Sequence, residues 1–166
     1  SLEIKKFRLL YVGRIRIEKG IYSLANLIKN KRNISLTIVG AEKQTSYKIN
    51  QSNIRIINNE GNKAKLIKYY DDHNIFVLPS YTEGYPMVLQ EALARRRPII
   101  IFNEISHVVG DKKGIFIAKR NFLNFFGILN HIKKDSKKIQ KEMRKNKLVT
   151  NKDFIEQFVD AIDNYK

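Results

Sequence analysis

The sequence predicts a doubly wound α/β domain, in which a parallel sheet of about six strands is flanked by helices and followed by a helical tail. Three observations predict it. Short apolar runs alternate about six times with stretches of helical spacing. The runs are apolar enough to be covered on both faces, as strands of a buried parallel sheet are. Loop residues follow the runs at Gly13, Gly40 and from Ser80 to Gly84. Ligands of such folds bind beyond the carboxyl ends of the strands, where the strand order reverses, so these three places should meet on one edge.

The elements follow in order. Phe7 to Val12 is a strand ending at Gly13, and Ile21, Leu24, Leu27 and Ile28 give the run Glu18 to Lys31 a helical spacing. Ile34 to Val39 alternates into Gly40 as a second strand. A polar segment from Glu42 to Ser52, with room for a short helix, leads to a third strand, Asn53 to Ile57. Asn62 to Asp72 is helical, and Asn74 to Leu78 is a strand. Pro86 to Arg96 is a helix that proline suits at its first turn. Pro98 to Phe102 and Gly114 to Ala118 close the sheet. Beyond Lys119 the spacing is helical over Asn121 to Lys134, Asp135 to Lys147 and from Thr150 to Tyr165.

At 166 residues the chain is expected to form one domain with a real core, and a hydrophobic content of 43% argues against disorder. No repeat or linker divides it. It contains no cysteine, which excludes disulfides, thiolate metal sites and cysteine nucleophiles and fits a reducing compartment. No run approaches the ~18 apolar residues of a spanning helix. Because it opens on Ser1 and reaches a strand almost at once, the sequence is expected to be a piece of something longer. Lys and Arg number 32 against 16 acidic residues, a balance that suits a polyanionic partner or, equally, a lysine-rich solvated surface.

Pro79 to Pro98 carries the densest chemistry. Glu83 and Gly84 stand in a loop before a helix, and Glu91 lies further along it. A helical path at 1.5 Å per residue separates the two carboxylates by up to about 12 Å, beyond the roughly 5–9.5 Å of paired glycosidase acids. That spacing suits opposite ends of an extended ligand, with an anionic group over the amides of Met87 and Val88. The alternative is that Glu83 complements the helix dipole and Glu91 pairs with Arg95. Upstream, Gly13 to Gly20 offers Arg14 as a fork and Lys19 as a point charge for an anion, in neither a G-x-G-x-x-G nor a P-loop pattern.

Together these residues resemble a family. Gly13-Arg14, Glu18-Lys19-Gly20, Ile38-Val39-Gly40, Leu78-Pro79-Ser80, Glu83-Gly84, Pro86, Glu91-Ala92, Ala94 and Pro98 run in order and in register as in the C-terminal, donor-binding half of GT-B glycosyltransferases. The resemblance is to the retaining family four, the glycosyl transferases group 1. It covers about residues 7 to 118, with 119 to 166 as the helical tail, and implies one Rossmann-like half of a two-domain enzyme whose N-terminal acceptor half is absent. By this resemblance Arg14 and Lys19 bind the donor diphosphate and stabilise it as a leaving group. Glu83 lies by the donor sugar, and Glu91 holds the ribose hydroxyls. Gly13 and the stretch Gly84, Tyr85, Pro86, Met87 and Val88 surround the phosphates and sugar. The base falls near Ile57, Asn58 and Asn59, with Leu66 packing on it. The implied partners are a nucleotide-diphosphate sugar and the chain's own N-terminal domain, with no cofactor and no catalytic metal.

The sequence departs from the family at three places. Arg96 replaces a usual glycine, His107 a frequent glutamate and Asn74 a frequent aspartate. His107 is a candidate donor contact, whereas a lone surface histidine more often has no role. Asp71-Asp72-His73 lacks metal-ligand spacing. The basic run 133–147 is a candidate face for an anionic membrane, which would place the protein in the cytoplasm, peripheral at the inner membrane face. Three rival functions are a GT-B nucleotide-sugar epimerase, a pseudoenzyme, and a basic nucleic-acid-binding module. The last is disfavoured because no recognition motif appears and aromatics are not interleaved with the basic run.

Overall fold

The structure, a computed structural model, describes residues 5–41, 49–58 and 60–148. Six parallel strands form one sheet: β1 (Phe7–Val12), β2 (Ile34–Ala41), β3 (Ile54–Asn58), β4 (Ile75–Leu78), β5 (Ile99–Phe102) and β6 (Ile115–Ala118). Their order is β3-β2-β1-β4-β5-β6, the doubly wound arrangement that the alternation predicts. The chain winds outward from β1 to β3, then returns to β4 on the other side of β1. The order therefore reverses between β1 and β4, and the loops leaving those strands diverge to opposite sides, opening a crevice.

β4 and β5 are buried end to end and β1 at all but Arg8 and Val12, with Leu9, Leu10, Phe76, Val77, Ile99, Ile100 and Ile101 almost wholly removed from solvent. Each such side chain contributes about 1.5–3 kcal/mol of burial, so the core of β1, β4 and β5 is the rigid floor of the crevice. The helices are α1 (Ile21–Leu27), α2 (Lys63–Asp72), α3 (Met87–Ala94) and α4 (Phe122–Met143). Asn62 and Asn121 cap α2 and α4 by accepting from the amides of Lys65 and Asn124.

One element differs from the sequence expectation. The helix over Glu18 to Lys31 is instead a 3-10 turn at Ile17–Lys19 followed by α1. Gly20, at φ 64°, separates them. A Cβ at Gly20 would fall inside the carbonyl oxygen of Pro79, so only glycine lets this loop lie flat on the end of β4. The helical segments expected on either side of Asp135 are both present, as two halves of α4 that meet in a kink at Asp135 (φ −105°, ψ 16°). Phe125, Leu129, Ile132, Ile139 and Met143 hold both halves of it on the domain. Most of the Glu42 to Ser52 segment, Asn59 and the expected helix from Thr150 lie outside the described residues.

Asn74 explains one departure. It is buried, its Oδ1 accepts from the Arg8 amide at 2.9 Å and its Nδ2 donates to the Lys6 carbonyl at 2.8 Å. An amide does both, whereas a carboxylate only accepts. Asn74 thus ties the start of β4 to the start of β1.

Candidate functional site

The crevice between β1 and β4 holds the candidate site. Gly13 leaves β1 with its amide on the Val39 carbonyl and a φ of 147°. A Cβ at Gly40 would press on the Gly13 backbone, so the two glycines let the ends of β1 and β2 lie side by side. The Tyr11 hydroxyl donates to the Arg14 carbonyl at 2.9 Å, which fixes the turn carrying Arg14. Burial, reinforced by Glu83, raises the Tyr11 pKa, so this hydroxyl stays protonated and remains a donor.

Two cavities meet at this edge and share Val12, Gly13 and Arg14. The first, of about 340 Å³, is bounded by Arg14 and Lys19 on one side and by Glu83 and Tyr85 to Val88 on the other. The second, of about 220 Å³, extends towards Leu66 and Glu60 beside Gly40. Of the residues named from sequence, Gly13, Arg14, Lys19, Leu66, Glu83, Tyr85, Pro86, Met87 and Val88 line one cavity or the other. Ile57, Asn58, Gly84 and Glu91 line neither. Ile57 and Asn58 stand at the carboxyl end of β3, and Glu91 is exposed on α3 beyond the cavity.

Glu83 and Lys19, 64 positions apart, form an ion pair at 2.8 Å. The Glu83 side chain is only 10% exposed, and the Ser80 hydroxyl also donates to its Oε1, at 2.6 Å. Oε1 takes both contacts and leaves Oε2 directed to neither. Lys19 has three donors, and this pair uses one of them. At the start of α3, Pro86 holds the cap position with no side chain capping the first turn. The amides there are left for an anion or solvent, and Met87 and Tyr85 are exposed beside them.

Glu91 does not pair with Arg95. Its Oε2 accepts from the Tyr70 hydroxyl at 2.7 Å, and Tyr70 is fully buried. Burial, then this bond, raises the Tyr70 pKa. Arg95 turns instead to Asp71, at 2.9 and 2.5 Å, and Arg97 reaches the same carboxylate at 3.3 Å. His73 is held by the Tyr69 carbonyl at 2.6 Å and Thr37 Oγ1 at 2.7 Å, and burial lowers its pKa. The Asp71 and His73 side chains are thus engaged in the scaffold. Among the described residues no three His, Asp or Glu gather as a metal would need.

His107 does not line the cavity. Its Nε2 lies 2.9 Å from the Glu83 carbonyl, so it touches the backbone of the loop. Sequence reasoning did not find Tyr11, Glu60 or Tyr70, nor the hydroxyl role of Ser80. A tyrosine two residues before the strand-ending glycine and a serine three before the glutamate were the available signals.

Comparison with known proteins now decides the family. The model of the family "Glycosyl transferases group 1" matches residues 2–149. The chain belongs to this family. It is 30% identical over 125 residues to the capsular polysaccharide biosynthesis glycosyltransferase CapM of Staphylococcus aureus, covering 68% of this chain and 33% of that protein. Among solved structures it is similar to sucrose-phosphate synthase of Thermosynechococcus elongatus, with a TM-score of 0.75 and 19% identity over 99% of this chain and 46% of that one. It is also similar to HepE of Anabaena, solved in complex with UDP-glucose, with a TM-score of 0.67 and 14% identity over 84% and 43% of the two chains. The chain therefore spans a third to a half of these relatives. The last two likenesses show the GT-B fold, and the family is one of glycosyltransferases. Among the described residues no helix is long and apolar enough to cross a membrane.

Proposed function

We propose that this chain is the donor-binding half of a glycosyltransferase. It takes a nucleoside-diphosphate sugar into the crevice and, with an N-terminal half, transfers the hexosyl group to a glycan or lipid-linked glycan with retention. One observation carries the reading: Arg14, the Lys19–Glu83 ion pair and the uncapped start of α3 line one cavity of about 340 Å³. The solved relative holding UDP-glucose supports the ligand class.

The chemistry follows from charge. Transfer breaks the bond between the anomeric carbon and the distal phosphate oxygen, and the electron pair leaves with the diphosphate. Arg14, the two remaining donors of Lys19 and the α3 amides are placed to stabilise that charge. Glu83 takes the Lys19 and Ser80 contacts through Oε1, so its Oε2 is available to orient a sugar hydroxyl. Glu91, braced by Tyr70, offers Oε1 to the ribose. In this reading the countercharge comes from the chain itself, without a cofactor. The exposed lysines of α4 add a peripheral contact with an anionic membrane face to the same proposal. No observation of the structure favours an epimerase or a nucleic-acid module.

A thermal-shift or saturation-transfer screen of UDP-, GDP- and ADP-sugars against the chain tests this. One nucleotide series should bind, and Arg14→Ala and Glu91→Ala should each weaken it about tenfold or more. Absence of binding by every series, or binding indifferent to both substitutions, overturns the assignment.

A further inference from the structure

The loop from Pro79 to Gly84 that presents Glu83 has no regular structure of its own. Its carbonyls leave the end of β4 without a ladder partner, so something else must hold them. Arg120, between β6 and α4, does so. Its Nη2 donates to the Pro79 carbonyl at 2.8 Å and to the Ser80 carbonyl at 3.1 Å. Nε donates to Glu104 Oε1 at 2.6 Å. The guanidinium carbon lies 3.9 Å from the centre of the Tyr81 ring and 4.5 Å from that of Phe102, so the group is stacked as well as hydrogen-bonded. The side chain is only 17% exposed, and its Nη1 is buried with no hydrogen-bond partner. Burial, the largest influence, would raise the Glu104 carboxyl, but the Arg120 hydrogen bond and charge together with a backbone hydrogen bond bring its pKa below the usual value.

These contacts converge on one atom pair. Ser80, whose carbonyl Arg120 holds, donates its hydroxyl to Glu83 Oε1. Pro79, whose carbonyl Arg120 also holds, is the surface on which Gly20 seats the loop that carries Lys19. Arg120 itself lines neither cavity. We propose that Arg120 is a positioning residue of the transfer site, setting the Glu83 carboxylate and the Lys19 ammonium in register through the backbone of Pro79 and Ser80. The role needs a planar fork that donates to two carbonyls and a carboxylate while stacking on rings. A lysine, with its single charged end, keeps the charge but not that geometry.

The inference rests on the donor-binding reading, and its test separates the two. Hydrogen exchange of the ligand-free chain is compared for wild type, Arg120→Lys and Arg120→Gln. Exchange should rise at residues 79–84 while the β1 amides keep their protection. In the same proteins the affinity advantage of a nucleotide sugar over the plain nucleoside diphosphate is measured with UDP-glucose against UDP, GDP-mannose against GDP and ADP-glucose against ADP. That advantage should fall about tenfold because Glu83 faces the sugar, while plain diphosphate binding, which keeps Arg14 and the α3 amides and loses only part of the Lys19 contact, falls less. A simple loss of stability would raise exchange throughout and lower both affinities together. Unchanged exchange at 79–84, exchange raised throughout the sheet, or an unaltered sugar advantage overturns the role of Arg120. Failure of the wild type to bind any of the six ligands overturns the donor-binding reading, and the exchange data then decide Arg120 by themselves. Glu104→Gln, which alters only the Nε partner, gives the same readouts at smaller amplitude and carries the test if the Arg120 variants do not fold.

Discussion

The two ends of α3 are built in opposite ways. Its start is capped by no side chain, is flanked by exposed Tyr85 and Met87, and opens on the cavity. Its exit is closed. The Arg96 amide bonds to the Leu93 carbonyl and the Arg97 amide to the Ala92 carbonyl, with Arg96 left-handed at φ 52°, which is a Schellman motif. Asp71 then draws Arg95 and Arg97 together. One end keeps its backbone donors available at some cost in stability, and the other satisfies its acceptors and anchors the helix. A helix can offer an open amino end to a ligand because its carboxyl end is fixed.

Three substitutions break or sharpen this contrast, beginning with the largest effect. Gly20→Ala strikes the open end through backbone fit, combining left-handed strain with overlap on Pro79. It should cost about 3 kcal/mol or more in urea unfolding and abolish nucleotide binding. Little change in either would show that the β1 and β4 loops are not seated on each other. Asp71→Asn strikes the closed end and should cost about 1 kcal/mol, since the Arg95 pair is partly exposed and only Arg97 is mostly buried. Hydrogen bonding from Arg95, opposed by partial burial and aided by Arg97, lowers the Asp71 pKa. Its contribution is therefore present at neutral pH and is lost as the pH falls below the ordinary carboxylate range near 4, down through the folded value. The wild type should lose that increment as the pH is taken below about 4, and the variant should not. The smallest effect belongs to Arg96→Gly, which removes left-handed strain at the price of a freer unfolded chain. It should stabilise by about 0.5–1 kcal/mol without altering nucleotide affinity. A change in affinity with either exit variant would show that the two ends are coupled.

Arg96 also shows what was readable beforehand. The sequence marks it as standing where the family has glycine, and the structure shows why glycine is usual there: the turn from α3 to β5 needs a positive φ. The strands and their order of use were legible because runs such as Ile75–Leu78 and Ile99–Phe102 are apolar at every position, which only a doubly covered sheet explains. The break at Gly20 was not, because it depends on Pro79, almost sixty residues away. In the site, Arg14, Lys19 and Glu83 were named from their order along the chain. His107, a candidate ligand contact in sequence, touches the Glu83 backbone, a contact its place in the chain did not show.

By itself the sequence determined the class of fold, the family and the set of charged and glycine residues gathered at the strand ends, because periodicity and short-range spacing are local properties. Only the tertiary structure decided the partners: that Lys19 holds Glu83, that Tyr70 holds Glu91 and frees Arg95 for Asp71, and that Arg120 grips the loop from behind. A lysine, a tyrosine and two arginines each have many acceptors within reach of their composition. Which one each takes is set by where β1, β4 and β6 place the backbone, and that is fixed by the packing of the whole sheet.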